Sequence, residues 1–320
     1  MLSVVIPAYN AEKTIGTLLT ALKGQDGEDF ETIVVDDGSH DRTVEIAKRF
    51  KVKVFANRHK GPAWQRNFGA RMAKGDTIVF TDADCIPPKR WLREMTAPLK
   101  EKGVVGVSGT YRTLNPENMI SRFEGYEIER RHRHMAEKKY TDFIGTAFAA
   151  YRRNVFLKAG GFDTSFPMAS GEDTELSFRL ARMGYKMVFN PNAWVFHPHT
   201  PTLRAYVKQK FWRAYWRVPL YKRHPKKVAG DSYTGLEIPL SAASMAVFVL
   251  SAFFALFSPA AFAFVITSLL FLYAINLKLF IFLARNEVAM VMLALLMLPL
   301  RTLIWMGGFV AGTLYPARQP

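Results

Sequence analysis

Thr77-Ile-Val-Phe-Thr-Asp-Ala-Asp84 is the stretch of this chain that decides its fold. Its apolar, β-branched start is typical of a strand buried on both faces, and two carboxylates follow where that strand would end. Asp82 and Asp84 can share one crevice there, one facing a metal and the other a sugar hydroxyl or a ribose. Carboxylate oxygens suit Mg²⁺ or Mn²⁺ carrying a diphosphate. An isolated Asp-x-Asp is more often a solvated turn than a ligand site, so the rest of the chain must distinguish these two interpretations.

Two further segments have the composition of buried strands, Leu2–Pro7 and Thr32–Val35, and Lys51–Phe55 is a third segment of the same series. Helical patterns follow from about Ala11 to Lys23 and from Gly61 to Lys74. Strands that alternate with helices predict a parallel sheet with right-handed crossovers, and such sheets bind ligands at the carboxyl ends of their strands. Polar or aromatic side chains fall at those predicted ends: Tyr9, Asp36, Asp37, Asp82 and Asp84.

Six short motifs follow one another over about the first 200 residues: Val4-Val-Ile-Pro-Ala-Tyr-Asn10, Val34-Val-Asp-Asp-Gly-Ser39, Gly61 with Arg66-Asn67 and Gly69, Thr81-Asp-Ala-Asp84, Gly160-Gly-Phe-Asp163 and Gly171-Glu-Asp-Thr-Glu175. In these motifs and in their order, the chain resembles the family 2 glycosyltransferases of the GT-A fold. Each piece is weak alone, but their combination is specific. The resemblance implies an α/β, Rossmann-like domain that binds a nucleotide-diphosphate sugar.

The resemblance also implies a nucleotide site. By similarity, the base and ribose are held by Pro7, Tyr9, Asp36 or Asp37, and Arg66, with Asp82 nearer the ribose and sugar. A tyrosine ring can stack on a base, a carboxylate can accept from ribose hydroxyls, and a guanidinium can donate to a base carbonyl. The choice between Asp36 and Asp37 stays open, because neighbouring residues at a strand end face opposite sides.

Metal and catalytic roles follow from the same resemblance. Asp84 is expected to bind Mn²⁺ or Mg²⁺, which stabilises a departing diphosphate. His197 or His199 completes the metal site, and His197 is favoured because it directly follows a strand. Asp173, with Glu172 beside it, is expected to act as the catalytic base in an inverting transfer, and the start of a helix keeps a carboxylate there ionised.

Acceptor contacts are expected at two places. Gly160 and Gly161 would let backbone approach an acceptor closely. Trp212 and Arg213 lie where processive members of the family carry Gln-x-x-Arg-Trp, but this chain has Gln209-Lys-Phe-Trp-Arg213, so the order is altered. That departure favours transfer of a single sugar over polysaccharide synthesis. Packing or membrane-interface anchoring would equally explain Trp212.

The composition changes after residue 200. Residues 201–230 contain nine Lys or Arg and no acid, and Ile238–Leu277 is 40 residues without a charge, interrupted by Ser258-Pro259. That length predicts two membrane spans, and Val288–Tyr315 reads as a third that contains Arg301. We therefore expect a GT-A catalytic domain at 1–200, a basic aromatic interfacial helix or linker at 201–232, and a transmembrane region of about three helices at 233–320.

Charge and cysteine content indicate the setting. The net charge of +16 is explained by anionic lipids at a cytosolic membrane face together with a nucleotide diphosphate, so no nucleic-acid partner is needed. A single cysteine, Cys85, excludes an internal disulfide and suits a reducing cytoplasm. The positive-inside rule predicts a multi-pass protein whose catalytic domain faces the cytosol.

Three hypotheses remain from the sequence. The first is an inverting, metal-dependent enzyme that moves one sugar from a nucleotide donor, with a UDP-sugar favoured, to a hydroxyl of a membrane-associated, lipid-linked saccharide. The second is a polyprenyl-phosphate sugar synthase acting on dolichyl or undecaprenyl phosphate, whose anionic acceptor needs no base. The third is a membrane scaffold or transporter, which the absence of evident inverted repeats and the Asp82–Asp84 pair disfavour.

Overall fold

The computed structural model describes residues 1–27, 29–168 and 170–316, and it divides into two compact units. The first unit contains Met1–Asn115 and His132–His199, and the second contains Pro116–Arg131 and the described residues from Thr200 onward. The sequence-based division at residue 200 had placed Pro116–Arg131 with the first unit. Its side chains instead pair with those of the C-terminal helices, as in the ion pair between Glu124 and Lys210.

The described residues of the first unit form one sheet of seven strands. These are β1 Leu2–Ala8, β2 Phe30–Asp36, β3 Lys53–Ala56, β4 Thr77–Phe80, β5 Val104–Thr113, β6 Ala149–Arg152 and β7 Lys186–His197. Their order across the sheet is β3-β2-β1-β4-β6-β5-β7. The first four strands are mutually parallel, so their carboxyl ends meet at one edge.

The sheet is mixed, not wholly parallel as predicted. Strand β6 lies between β4 and β5 and runs antiparallel to both. Strand β6 has only four residues and no strong hydrophobic pattern, so the sequence does not predict it. Its antiparallel pairing arises because the chain returns from β5 and inserts into the sheet from the opposite end.

Twelve helices are described in all: α1 Ile15–Lys23, α2 Thr43–Lys48, α3 Pro62–Met72, α4 Trp91–Thr96, α5 Met119–Ala136, α6 Arg153–Lys158, α7 Glu172–Arg182, α8 Leu203–Arg223, α9 Glu237–Phe254, α10 Ala260–Ile275, α11 Leu277–Asn286 and α12 Ala289–Leu314. Helix α3 lies directly on the sheet, because Gly69 leaves no room for a side chain: a Cβ there would be 2.4 Å from Cγ1 of Val5. Pro62 occupies its first position, where a missing N–H costs nothing.

The second unit is helical and strongly apolar. Helices α9 and α12 are each long and apolar enough to cross a membrane, and α10 with α11 would make a third span if that pair, bent by 61°, is counted as one. Large apolar side chains on these helices are exposed, such as Leu250, Phe253 and Leu296. An exposed apolar surface of this kind indicates membrane association.

Candidate active site

A cleft of about 670 Å³ opens at the carboxyl ends of β1, β2 and β4. It is lined by six of the residues that the sequence singled out: Pro7, Tyr9, Asp37, Arg66, Asp82 and Asp84. The parallel register of these strands brings the ends together, since Ala8 pairs with Asp36 and Val5 with Phe80. The cleft is thus where a parallel α/β sheet is expected to bind a ligand.

Tyr9 presents an aromatic surface at the rim of the cleft. Its side chain is exposed, and its ring lies 4.6 Å, centroid to centroid, from the ring of His59. The imidazole Nδ1 of His59 lies 3.0 Å from Oδ2 of Asp37. An exposed tyrosine held against a second ring is suited to stacking on a flat base.

Asp36 and Asp37 have different surroundings. Oδ2 of Asp36 accepts hydrogen bonds from the backbone N–H groups of Gly38 at 3.1 Å and Ser39 at 3.0 Å, which fixes the turn after β2. Asp37 lines the cleft, and its carboxylate accepts from the N–H groups of Lys60 at 2.7 Å and Gly61 at 3.0 Å. Of the two, Asp37 is therefore the one that lies at the cleft.

Arg66 is buried between two of the predicted acids. Its guanidinium donates to Oδ1 of Asp82 at 2.6 Å and to Oε1 of Glu172 at 3.1 Å, and its side chain is 2% exposed. Burial lowers the pKa of Arg66, but the carboxylates of Asp82 and Glu172 outweigh that effect and raise it. Arg66 thus joins the loop after β4 to the first turn of α7.

Glu172 and Asp173 open α7 but differ in access. Glu172 is 1% exposed and accepts from Arg66 and from the backbone N–H of Ser170 at 2.9 Å. Burial, and then the Asp173 carboxylate, hold the pKa of Glu172 above its usual range. Asp173 is half-buried, and one of its oxygens accepts from the N–H of Thr174 at 2.6 Å. Of this pair, Asp173 is the carboxylate that solvent can reach.

Asp84, Cys85 and His197 form a cluster that could hold a metal ion. Oδ1 of Asp84 is buried without a hydrogen-bond partner among the described residues, and it lies 3.7 Å from Nε2 of His197. Burial raises the pKa of Asp84, an effect that His197 opposes and Asp82 reinforces. An unpaired carboxylate oxygen beside an imidazole nitrogen fits a divalent cation, which would offset the cost of burying the charge.

The thiol of Cys85 is a poor ligand for such an ion. Burial and the carboxylates of Asp82 and Asp84 hold the pKa of Cys85 well above its usual range, and a soft thiol is not a preferred ligand for Mn²⁺ or Mg²⁺. His199 lies outside the cluster, since its ring centroid is 5.7 Å from that of His197. The described donor set is therefore Asp84 with His197.

The predicted acceptor residues lie elsewhere. Gly160 and Gly161 both have positive φ, 90° and 69°, and a Cβ on Gly161 would meet Oδ1 of Asn67 at 2.4 Å. The close approach that Gly161 permits is thus to the Asn67 side chain. Trp212 and Arg213 lie on α8 in the second unit, where Arg213 is 3.7 Å from Glu124.

Several cleft residues were not singled out from the sequence. They include Asn10, Glu12, Asp41 and His59. His59 follows β3, and the rule that ligands bind at the carboxyl ends of parallel strands could have found it. Asn10 has a positive φ of 49°, and its Oδ1 accepts from the N–H of His40 at 2.9 Å. That contact joins the loops after β1 and β2, and no local sequence signal reveals it.

Comparisons with known proteins agree with this architecture. Residues 3–160 match the family model described as Glycosyl transferase family 2. The pre-mycofactocin glycosyltransferase of Mycobacterium tuberculosis H37Rv is 30% identical over 236 residues, which cover 71% of this chain and 49% of that protein. Validoxylamine A glucosyltransferase of Streptomyces hygroscopicus subsp. jinggangensis is 30% identical over 248 residues, covering 65% and 58%. The chain thus spans about half the length of the curated relatives it matches.

A solved structure extends the likeness in fold. The mannosyltransferase PcManGT from Pyrobaculum calidifontis, solved in complex with GDP-Man and Mn²⁺, superimposes with a TM-score of 0.62 at 20% identity. The match covers 99% of this chain and 88% of PcManGT, so it includes the C-terminal helices. From its ordered motifs, its mixed sheet and these matches, the chain belongs to the family 2 glycosyltransferases and has the GT-A fold.

Proposed function

We propose that this chain is an inverting, metal-dependent glycosyltransferase. It transfers a single sugar from a nucleoside-diphosphate donor, with a UDP-sugar favoured, to a hydroxyl group of a membrane-associated, lipid-linked saccharide. The observation that carries this proposal is the meeting of Tyr9, Asp82 and Asp84 in one cleft, with His197 beside Asp84. The catalytic unit faces the cytosol, and the C-terminal helices attach it to the membrane.

Each group in the cleft has a role in donor binding. The Tyr9 ring stacks on the base, and Asp82 accepts from the ribose or the sugar. Arg66 holds Asp82 in place through the 2.6 Å hydrogen bond. Asp84 and His197 would hold Mn²⁺ or Mg²⁺, which when bound neutralises charge on the departing diphosphate. That Mn²⁺ accompanies GDP-Man in PcManGT supports testing the same ion here.

Asp173 is the carboxylate suited to act as the catalytic base. As the acceptor oxygen bonds to the anomeric carbon and the bond to the diphosphate breaks, the hydroxyl proton passes to the Asp173 carboxylate. Glu172 is unsuited to this task because it is buried and already paired with Arg66. It serves instead to fix the first turn of α7, which carries Asp173.

Calorimetric titration of the full chain in detergent tests the donor site. UDP and GDP, each with and without Mn²⁺, should bind more tightly with the metal in the parent chain. Asp84→Asn should lose that metal-dependent gain, because an amide coordinates a hard cation less strongly than a carboxylate. Asp76→Asn is the matched control, since Asp76 is exposed at the opposite end of β4. Unchanged metal dependence in Asp84→Asn would remove Asp84 from the site.

A further inference from the structure

Helix α8 carries charges along its whole length. Lys208 and Lys222 are exposed, and Arg213 between them has 40% of its side chain exposed. The two lysines are separated by about 21 Å along the axis, at 1.5 Å per residue. If α8 crossed a hydrocarbon layer about 30 Å thick, at least one of these cations would lie deep within it. If α8 lies along the membrane surface, by contrast, each of these cations can reach the lipid headgroups, while Trp212 and the other aromatic rings of α8 lie at the interface.

Helix α12 packs side by side with α8. A Cβ on Gly308 would lie 2.4 Å from the carbonyl oxygen of Phe211, and one on Gly312 would lie 2.6 Å from that of Tyr215. Gly308 and Gly312 of α12 are four residues apart, and they face Phe211 and Tyr215, which are four residues apart on α8. The two helices therefore run in the same direction where they touch. Such close backbone approach is that of Gly-x-x-x-Gly packing, in which helices cross at roughly 40°.

Polar groups also accompany the first half of α12. Arg301, near its middle, donates to Glu127 of α5, and both side chains are buried. Glu127 also accepts from the Tyr206 hydroxyl of α8 at 3.0 Å. Just before α12 begins, Glu287 lies 3.5 Å from Arg122 of α5. Polar partners therefore lie just before the start of α12 and beside its middle.

We propose that α12 lies along the membrane surface beside α8, and immerses only its outer apolar stripe in lipid. That stripe consists of exposed residues on one face: Met292, Leu296, Leu303, Val310 and Leu314. A helix of 26 residues inclined by roughly 40° to α8 rises only about 25 Å, less than the roughly 30 Å hydrocarbon thickness. The partner is an anionic lipid surface, matched by the apolar stripe of α12 and the lysines of α8.

This inference revises the predicted third span and rests on the proposed membrane attachment. Its consequence is that the α9–α10 hairpin enters the bilayer while both ends of α12 stay on the side of α8. The turn of that hairpin is strongly apolar, with Leu256 77% and Phe257 74% exposed. Length and apolar composition alone do not distinguish a helix that crosses from one that lies along the surface.

Single-cysteine labelling tests the position of α12. Cys85 is the only cysteine and is fully buried, so the parent chain gives the background. Asn286→Cys and Pro316→Cys flank α12 at exposed positions. Right-side-out and everted membrane vesicles from expressing cells are treated with a membrane-impermeant maleimide. Labelling of both variants from the same side is expected, whereas labelling from opposite sides overturns the inference.

Two further arms complete the experiment. A Pro316→Cys variant that reacts only after detergent is added would place that end in hydrocarbon and would also overturn the inference. Ser258→Cys, in the exposed turn between α9 and α10, reports on the hairpin independently. Carbonate extraction of the same vesicles tests membrane attachment itself. Release of the chain into the supernatant would refute the attachment, a failure distinct from a wrong position of α12.

Discussion

Replacing Arg66 by Met tests whether one guanidinium holds two site carboxylates. Arg66 donates to Asp82 at 2.6 Å and to Glu172 at 3.1 Å, and the Glu172 side chain is 1% exposed. Removing one partner of a buried ion pair costs about 3–5 kcal/mol, because the remaining charge stays buried without compensation. Asp82, with 28% of its side chain exposed, can recover water and adds little.

Protonation of Glu172 limits that cost. A carboxyl with an ordinary pKa of 4.5 can be protonated at pH 7 for about 3.4 kcal/mol, at 1.36 kcal/mol per pH unit. Burial and the Asp173 carboxylate already raise the pKa of Glu172, and loss of Arg66 raises it further. Because the pKa of Glu172 is already about 7 in the parent, the loss of stability through this proton in Arg66→Met should be well below about 1 kcal/mol at pH 7 and about 1.4 kcal/mol at pH 8.

Thermal unfolding of the detergent-purified chain measures this loss. For a chain of this size, 1 kcal/mol shifts Tm by about 2–4 °C, so Arg66→Met should unfold about 3–6 °C below the parent at pH 8. Adding Glu172→Gln removes the stranded carboxylate and should restore most of the difference. Arg49→Met is the control, because Arg49 forms an exposed pair with Glu45 that is worth about 0–1 kcal/mol.

The pH dependence has a definite sign. A carboxyl whose folded pKa is raised favours the folded state below its unfolded pKa, and that contribution is lost as pH rises. The loss in free energy of unfolding that Arg66→Met causes, relative to the parent, should therefore be small at pH 5 and larger at pH 8. A variant that unfolds within about 2 °C of the parent at pH 8 would refute the reasoning. The same holds if Glu172→Gln restores nothing.

Two further predictions concern the base and the helical unit. Asp173→Asn should lower turnover by about 10²–10⁴ while sparing donor affinity, measured with the natural acceptor and by titration with nucleoside diphosphate; undiminished turnover would favour a phosphate acceptor, which needs no base. Burial by itself would raise the pKa of Glu127, but the charges of Arg301 and Lys210 outweigh it and lower the pKa to about 2. Stability from that carboxylate is present above about pH 4.5 and is lost as pH falls toward 2, so Tm should fall more on acidification in the parent than in Glu127→Gln. Equal falls in Tm would show that Glu127 is not the titrating group.

The sequence alone determined the main elements and one edge of the sheet. The β-branched runs before Tyr9, Asp36 and Asp82 are strong local signals, since a strand buried on both faces must be apolar throughout. Because parallel strands end at a common edge, a site near Tyr9, Asp82 and either Asp36 or Asp37 was predicted from the sequence, and the structure has Asp37 in the cleft lining. The apolar composition after residue 236 likewise indicated membrane association before any packing was known.

Only the tertiary structure decided which groups touch. Arg66 and Glu172 are separated by 106 residues, and their pairing depends on how α3 and α7 pack, which no local pattern encodes. The choice between His197 and His199 is a second example. Both are histidines near the end of the same predicted strand, and only the structure shows that His197 lies beside Asp84. Apolar length and composition are properties of one segment, whereas close packing through Gly308 depends on the neighbouring helix. Side-chain partners across the chain are set by packing and register, and these are fixed only when the whole core forms.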